Sequence, residues 1–162
     1  AFVRGLQGDD PRHLKVAACA KHFAVHSGPE AQRHGFDARV SPRDLHESYL
    51  PHFERVVRAG VEAVMGAYNR TNGEACCASP KLQRILREDW GFAGHYVSDC
   101  GALDDLHRSH GLTAGPVESA AFALRHGTDL NCGCTYNDLL VAHRRGLVTT
   151  ADIDRSLRRV LR

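Results

Sequence analysis

The stretch HYVSDCGALDDLH, residues 95–107, decides how this chain is read. His95 to Ser98 has the aromatic and β-branched character of a short strand. Asp99 closes it, Cys100-Gly101 turns the chain, and a helical pattern opens at Asp104-Asp105. A carboxylate at the end of a strand, ahead of a strand-to-helix loop, stands where an α/β barrel keeps its chemistry. Taken alone, an Asp-x-Gly reads as a helix cap or a turn. The neighbouring segments therefore have to choose between the two.

Upstream, LKVAACAKHFAV (residues 14–25) carries small and β-branched residues from Val16 to Cys19 and ends at Lys21-His22-Phe23. That composition suits a strand covered on both faces, as in a parallel sheet. The polar loop HSGPEAQRHGFDARV (26–40) is long for a compact domain and has no helical period. Ser41-Pro42 then opens a helix, with Ser41 as cap, Pro42 at the first helical position and Asp44 placed to complete a capping box. Leu45, Tyr49, Phe53, Val56 and Val57 recur at helical spacing up to Gly60, and Pro51 should bend or split this helix. Ala63 to Tyr68 is the second strand, followed by the loop NRTNGEACCAS (69–79). Ser79-Pro80 opens a second helix with Leu82, Ile85, Leu86 and Trp90 on one face.

Beyond the third strand, at 95–99, an Ala-rich helix runs from about Pro116 to His126. Thr128-Asp129-Leu130 reads as a short fourth strand. A helix covers Tyr136 to Arg145, and the last one begins at Thr149 or Thr150. The order is strand–helix four times over, which gives an α/β fold of parallel strands with right-handed crossovers. Lys21-His22, Tyr68-Asn69, Asp99 and Asp129 follow the four strands, and in a barrel they share one rim. Four units make half of an eight-stranded barrel, with two open strand edges. Helical patterns run into both Ala1 and Arg162. The expectation is part of a (β/α)8 TIM-type barrel, about four βα units, truncated at both ends.

Composition narrows the function classes. The 162 residues are 43% hydrophobic and 25% charged with a formal charge of +2, an ordinary globular balance with room for one core. No basic block carries interleaved aromatics, so nucleic acid is not an expected partner. No apolar run reaches transmembrane length, so neither is a membrane. The six cysteines lack a paired C-x-x-C framework, and Cys132-Gly133-Cys134 is too close for a structural zinc pair. Free buried thiols are the expectation, pointing towards a reducing, cytoplasmic compartment. His107 and His110 alone make no metal site.

KHFAVHSGPE, SPRDLHESYLPHF, VMGAYNRTNGEACCAS, ILREDWGFAGHYVSDCGALDDLH and GTDLNCG, in this order and spacing, resemble glycoside hydrolase family 3 along nearly all of residues 1–162. The resemblance implies a retaining, exo-acting β-glycosidase. It also implies an N-terminal (β/α)8-type barrel that carries the nucleophile, and a following α/β sandwich domain that carries the acid/base glutamate. The Cys after Asp99 and the DLNCG form resemble the β-xylosidase and arabinofuranosidase-like branch. β-Glucosidase is the next reading. Matched motif by motif, Asp99 corresponds to the nucleophile. Lys21 and His22 correspond to the pair that binds sugar hydroxyls, Tyr68 to the tyrosine beside the nucleophile, and Arg33 to an arginine at the sugar. No residue here corresponds to the acid/base glutamate. The partners implied are an oligosaccharide or an aryl or alkyl β-glycoside, and the sandwich domain. No cofactor or metal is implied.

The chemistry fits those residue types. Retaining hydrolysis needs an ionised carboxylate nucleophile and a second carboxyl group about 5–5.5 Å away. Lys21 and Arg33 near Asp99 favour its ionised form. Each residue also has a plainer reading: Lys21 as a solvated lysine, His22 as a core histidine, Tyr68 as a core aromatic, and Glu30, Arg33 and His34 as loop surface. Asp129 reads as a structural aspartate capping its turn, and Trp90 as core. Two other functions stand beside the first. A β-N-acetylhexosaminidase-like member would carry Asp-Ser-His in the loop after KHF, where SGPEAQRHG lacks it and leaves only His34. A non-catalytic sugar-binding or degenerate domain is the other.

Overall fold

The computed structural model describes residues 1–10, 12–26 and 28–161. In chain order the helices and strands are α1 (Phe2–Gln7), β1 (Cys19–Phe23), β2 (Asp37–Ala38), α2 (Pro42–Asp44), α3 (Pro51–Arg58), β3 (Ala63–Gly66), β4 (Arg70–Thr71), β5 (Glu74–Ala75), α4 (Pro80–Arg84), β6 (His95–Ser98), α5 (Asp105–Arg108), α6 (Pro116–Arg125), α7 (Leu139–Arg144) and α8 (Thr150–Val160). The fold is α/β.

Its central sheet runs β1-β3-β6, all parallel, with Ala63 opposite His95 and Gly66 opposite Ser98. Leu130 adds a single parallel bridge to Val97, so the expected fourth strand at Thr128–Leu130 is reduced to that contact. The first strand is also shorter than its composition suggests. Leu14 and Val16 are exposed, and pairing begins only at Cys19. The register shifts between Ala20 and Phe23, and the Lys21–His22 and Phe23–Ala24 peptide bonds are cis.

The core lies behind this sheet. Phe23 meets the edges of Phe53, Trp90 and Tyr96 at 5.0, 6.0 and 6.3 Å between ring centroids, and Leu45, Ile85 and Leu86 fill around them. Burying each such side chain stabilises the fold by about 1.5–3 kcal/mol. Tyr96 is fully buried and its hydroxyl donates to the Cys76 carbonyl at 2.9 Å, which satisfies its polar end. Gly66 is required where β3 crosses Tyr96. A methyl group there would stand 2.5 Å from the Tyr96 hydroxyl and 2.9 Å from Cys77 Sγ.

The helix opened by Ser41 is interrupted in a different way from a simple proline bend. Leu45–Tyr49 forms a π turn between α2 and α3, closed by the Leu50 N–H on the Leu45 carbonyl at 3.0 Å. Pro51 has no N–H to continue the ladder, so the wide turn falls just ahead of it. A second π turn, Ile85–Asp89, ends the α4 segment. Ser41 caps α2 by accepting the Asp44 N–H at 3.0 Å. Its own hydroxyl goes to the Asp44 carboxylate, so the reciprocal half of the capping box is not made there. Thr149 and Asp152 make a complete box at α8.

Two loops read as irregular contain a second small sheet. β4 and β5 form a hairpin about Asn72-Gly73, both at positive φ, and β2 pairs parallel with β4. Asn72 seals it by exchanging hydrogen bonds with the Val40 backbone at 2.9 and 3.0 Å. The loop after β1 is thereby stitched to the loop after β3. Among the described residues no helix is long and apolar enough to cross a membrane.

Candidate active site

Parallel pairing brings the C-terminal ends of β1, β3 and β6 to one edge of the sheet, and the chain leaves each with a polar side chain. Asp99 follows β6. Its N–H donates to the Gly66 carbonyl at 3.2 Å, which ties it to the end of β3. One carboxylate oxygen accepts the Cys100 N–H at 2.8 Å; the other lies 3.3 Å from His22 Nε2. The Asp99 side chain is 13% exposed.

His22 comes from β1 and stacks against His26 at 4.4 Å. Burial, then His26, hold its pKa below the ordinary 6.5, against the opposing pull of Asp99. The imidazole is therefore neutral near pH 7, with one donor and one acceptor nitrogen. Lys21 lines a cleft with His22, Tyr49 and His52. Its charge adds to the downward push on His22.

Tyr68 leaves β3 two residues beyond its last paired position. Its hydroxyl donates to the Cys100 carbonyl at 2.9 Å, one residue past Asp99, whose charge acts on the phenol. Burial, then the charge of Asp99, raise the phenol above its ordinary 10.0, so it stays protonated and a donor. The Arg33 guanidinium sits over the Tyr68 ring, 5.4 Å from its centroid, and pairs with Glu30 at 3.0 Å. Asp99, His22 and Tyr68 are thus drawn together directly. Lys21 and Arg33 flank them.

Asp129 goes elsewhere. Its carboxylate is fully buried and binds Arg87 Nη2 at 2.6 Å, Arg159 Nη1 at 3.0 Å and the Tyr96 N–H at 2.9 Å. It is a structural aspartate that ties α8 to the start of β6. Burial pushes the Arg87 guanidinium down to about 10, with Asp129 holding it up. Trp90 packs against the core, partly buried.

Two features of the rim were not anticipated. Cys100 and Cys132 form a disulfide across 32 residues, which corrects the expectation that all six cysteines are free thiols and removes the support it lent to a cytoplasmic compartment. Cys19, Cys76, Cys77 and Cys134 are free. The Gly101 N–H donates to the Cys132 carbonyl at 2.7 Å, and Ser98 Oγ accepts from the Cys132 N–H and Asn131 Nδ2. The loop carrying Asp99 is therefore clamped to the loop after Leu130. His34, expected as loop surface, bonds through Nδ1 to the buried carboxylate of Asp105 at 2.8 Å. Nothing in the spacing of two residues 71 positions apart signals that contact.

The family model for the glycosyl hydrolase family 3 N-terminal domain matches residues 1–162. The chain belongs to glycosyl hydrolase family 3. It is 44% identical over 165 residues to a xylan 1,4-beta-xylosidase of Xylanibacter ruminicola and 48% identical over 169 residues to a probable exo-1,4-beta-xylosidase of Aspergillus clavatus. Each alignment takes in 98% of this chain but only 19% and 22% of the relative, so this family 3 chain spans about a fifth of the curated relatives it matches. Solved structures agree. A family 3 exo-beta-xylosidase, XlnD, in complex with a xylobiose aziridine activity-based probe superposes with a TM-score of 0.91 at 33% identity, over 98% of this chain and 22% of that one. A beta-glucosidase from Listeria innocua superposes at 0.86 and 30% identity, over 99% and 23%.

Proposed function

We propose that this chain is part of the N-terminal (β/α)8-type barrel of a retaining, exo-acting β-glycosidase, β-xylosidase-like first and β-glucosidase-like next, with Asp99 as nucleophile. An α/β sandwich domain of the same protein supplies the acid/base glutamate. The observation that carries this reading is the convergence of His22, Tyr68 and Asp99 at one sheet edge, in a chain 44–48% identical to named xylosidases.

In the first half-reaction an Asp99 oxygen bonds to the anomeric carbon while the bond to the leaving oxygen breaks. The glutamate from outside these residues delivers a proton to that oxygen. In the second, the same glutamate takes a proton from water, whose oxygen displaces Asp99 and restores the sugar's configuration. Lys21 and His22 hold ring hydroxyls, where bonds to the 2-OH strengthen in the transition state. Tyr68, tied to the Cys100 carbonyl beside Asp99, steadies the nucleophile, and Arg33 lies at the sugar's rim. Substrates are terminal β-linked sugars of oligosaccharides or aryl and alkyl glycosides.

In the full-length protein, Asp99→Asn should lower kcat on an aryl β-xyloside by at least about 10³-fold, the scale of losing a group that acts in the transition state. Sugar binding, measured by calorimetry with xylose, should persist. Turnover within tenfold of the unaltered protein would remove Asp99 from the role.

A further inference from the structure

The loop after β1 returns over the rim of the sheet and meets Tyr68 there. The His34 ring stands edge-on to the Tyr68 ring, 4.6 Å between centroids and 62° between planes. His34 is held from behind by Asp105, at 2.8 Å, and Asp105 is anchored in turn by the Ser109 hydroxyl at 2.9 Å. Asp105 is 5% exposed and opens α5, six residues past Asp99. A buried carboxylate gripping Nδ1 fixes both the tautomer and the plane of an imidazole.

Arg33 also covers the Tyr68 ring, but its counter-ion Glu30 is 79% exposed, and such surface pairs contribute only about 0–1 kcal/mol. The rigid wall beside Tyr68 is therefore His34. That wall matters because the Tyr68 hydroxyl is tied at 2.9 Å to the carbonyl of Cys100, the residue next to Asp99. A displacement of the ring would loosen that tie and shift the hydroxyl relative to the Asp99 carboxylate.

We infer that His34 and Asp105 form a positioning pair that holds Tyr68 so that its hydroxyl serves Asp99. The inference rests on the glycosidase reading above. His34 acts through Tyr68 and has no part in proton transfer to the substrate. Misplacement of a catalytic group by about 1 Å can lower turnover by up to about 10²-fold.

The test is a double-mutant cycle in the full-length protein with an aryl β-xyloside. His34→Gln, on a half-exposed side chain that the core does not need, should lower kcat about tenfold with KM within about twofold. Asp105→Asn should do the same. In a Tyr68→Phe background, either substitution should change kcat by less than about twofold, because the hydroxyl to be positioned is gone. Equal losses in both backgrounds, or no loss from His34→Gln, overturn the pair while leaving Asp99 and the glycosidase reading intact. A full-length protein with no β-glycosidase turnover overturns both.

Discussion

Asp99 and Asp129 show how little a residue type says without its surroundings. Both read as strand-end aspartates ahead of a turn, yet one lies partly exposed beside His22 and the other is sealed between two arginines. Asp129→Asn would leave Arg87 and Arg159 short of their counter-charge. Loss of one partner of a buried pair costs about 3–5 kcal/mol, so chemical denaturation of the full-length protein should show a destabilisation of that size. His22 and His110 supply a pH signature. Burial lowers both below the ordinary 6.5, opposed in each case by a nearby aspartate, Asp99 or Asp105. A basic group with a lowered folded value binds fewer protons in the folded state, so its contribution is complete above 6.5 and is lost as the pH falls below it. The melting temperature should decline on acidification from pH 6.5, and His110→Gln should flatten that decline; an unchanged slope would contradict the assignment to His110. At this scale the common sheet edge of Asp99, His22 and Tyr68 was legible, because parallel strand ends fix where the chain emerges, while their roles rest on the family resemblance. The His34–Asp105 contact was not, because it depends on how two loops cross after folding.

At the scale of elements, the three parallel strands and most helices were legible from buried runs and Ser-Pro caps. The small sheet of β2, β4 and β5 was not, since two-residue strands carry no alternation, although Asn72-Gly73 is the turn pair that hairpins favour. The disulfide was hidden for a related reason: six cysteines offer about fifteen possible single pairs, and only the adjacency of two turns selects Cys100–Cys132. Closing a 32-residue separation should stabilise the chain by about 3–4 kcal/mol through the unfolded state. Cys132→Ser should lower the unfolding free energy by that amount, and a change under about 1 kcal/mol would mean that the hydrogen bonds between the two turns suffice alone. Gly66→Ala tests the crossing of β3 over Tyr96. The added methyl meets packed atoms at 2.5–2.9 Å, and overpacking of this kind costs about 1–3 kcal/mol.

At the scale of the molecule, a parallel sheet places its chemistry at one edge, where Asp99 and His22 meet and Tyr68 bonds the residue after Asp99. Under the proposed retaining mechanism, the second carboxyl group would be the glutamate of the sandwich domain. The central claim is a covalent bond to Asp99, and trapping it is the most direct test. The full-length protein would be incubated with a 2-fluoro-substituted β-xyloside bearing a good leaving group, digested, and the peptides weighed. The account predicts a fluoroxylosyl adduct on the peptide containing Asp99 and none in Asp99→Asn. An active protein that carries the adduct on a different carboxylate, or forms none while turning over substrate, would contradict it.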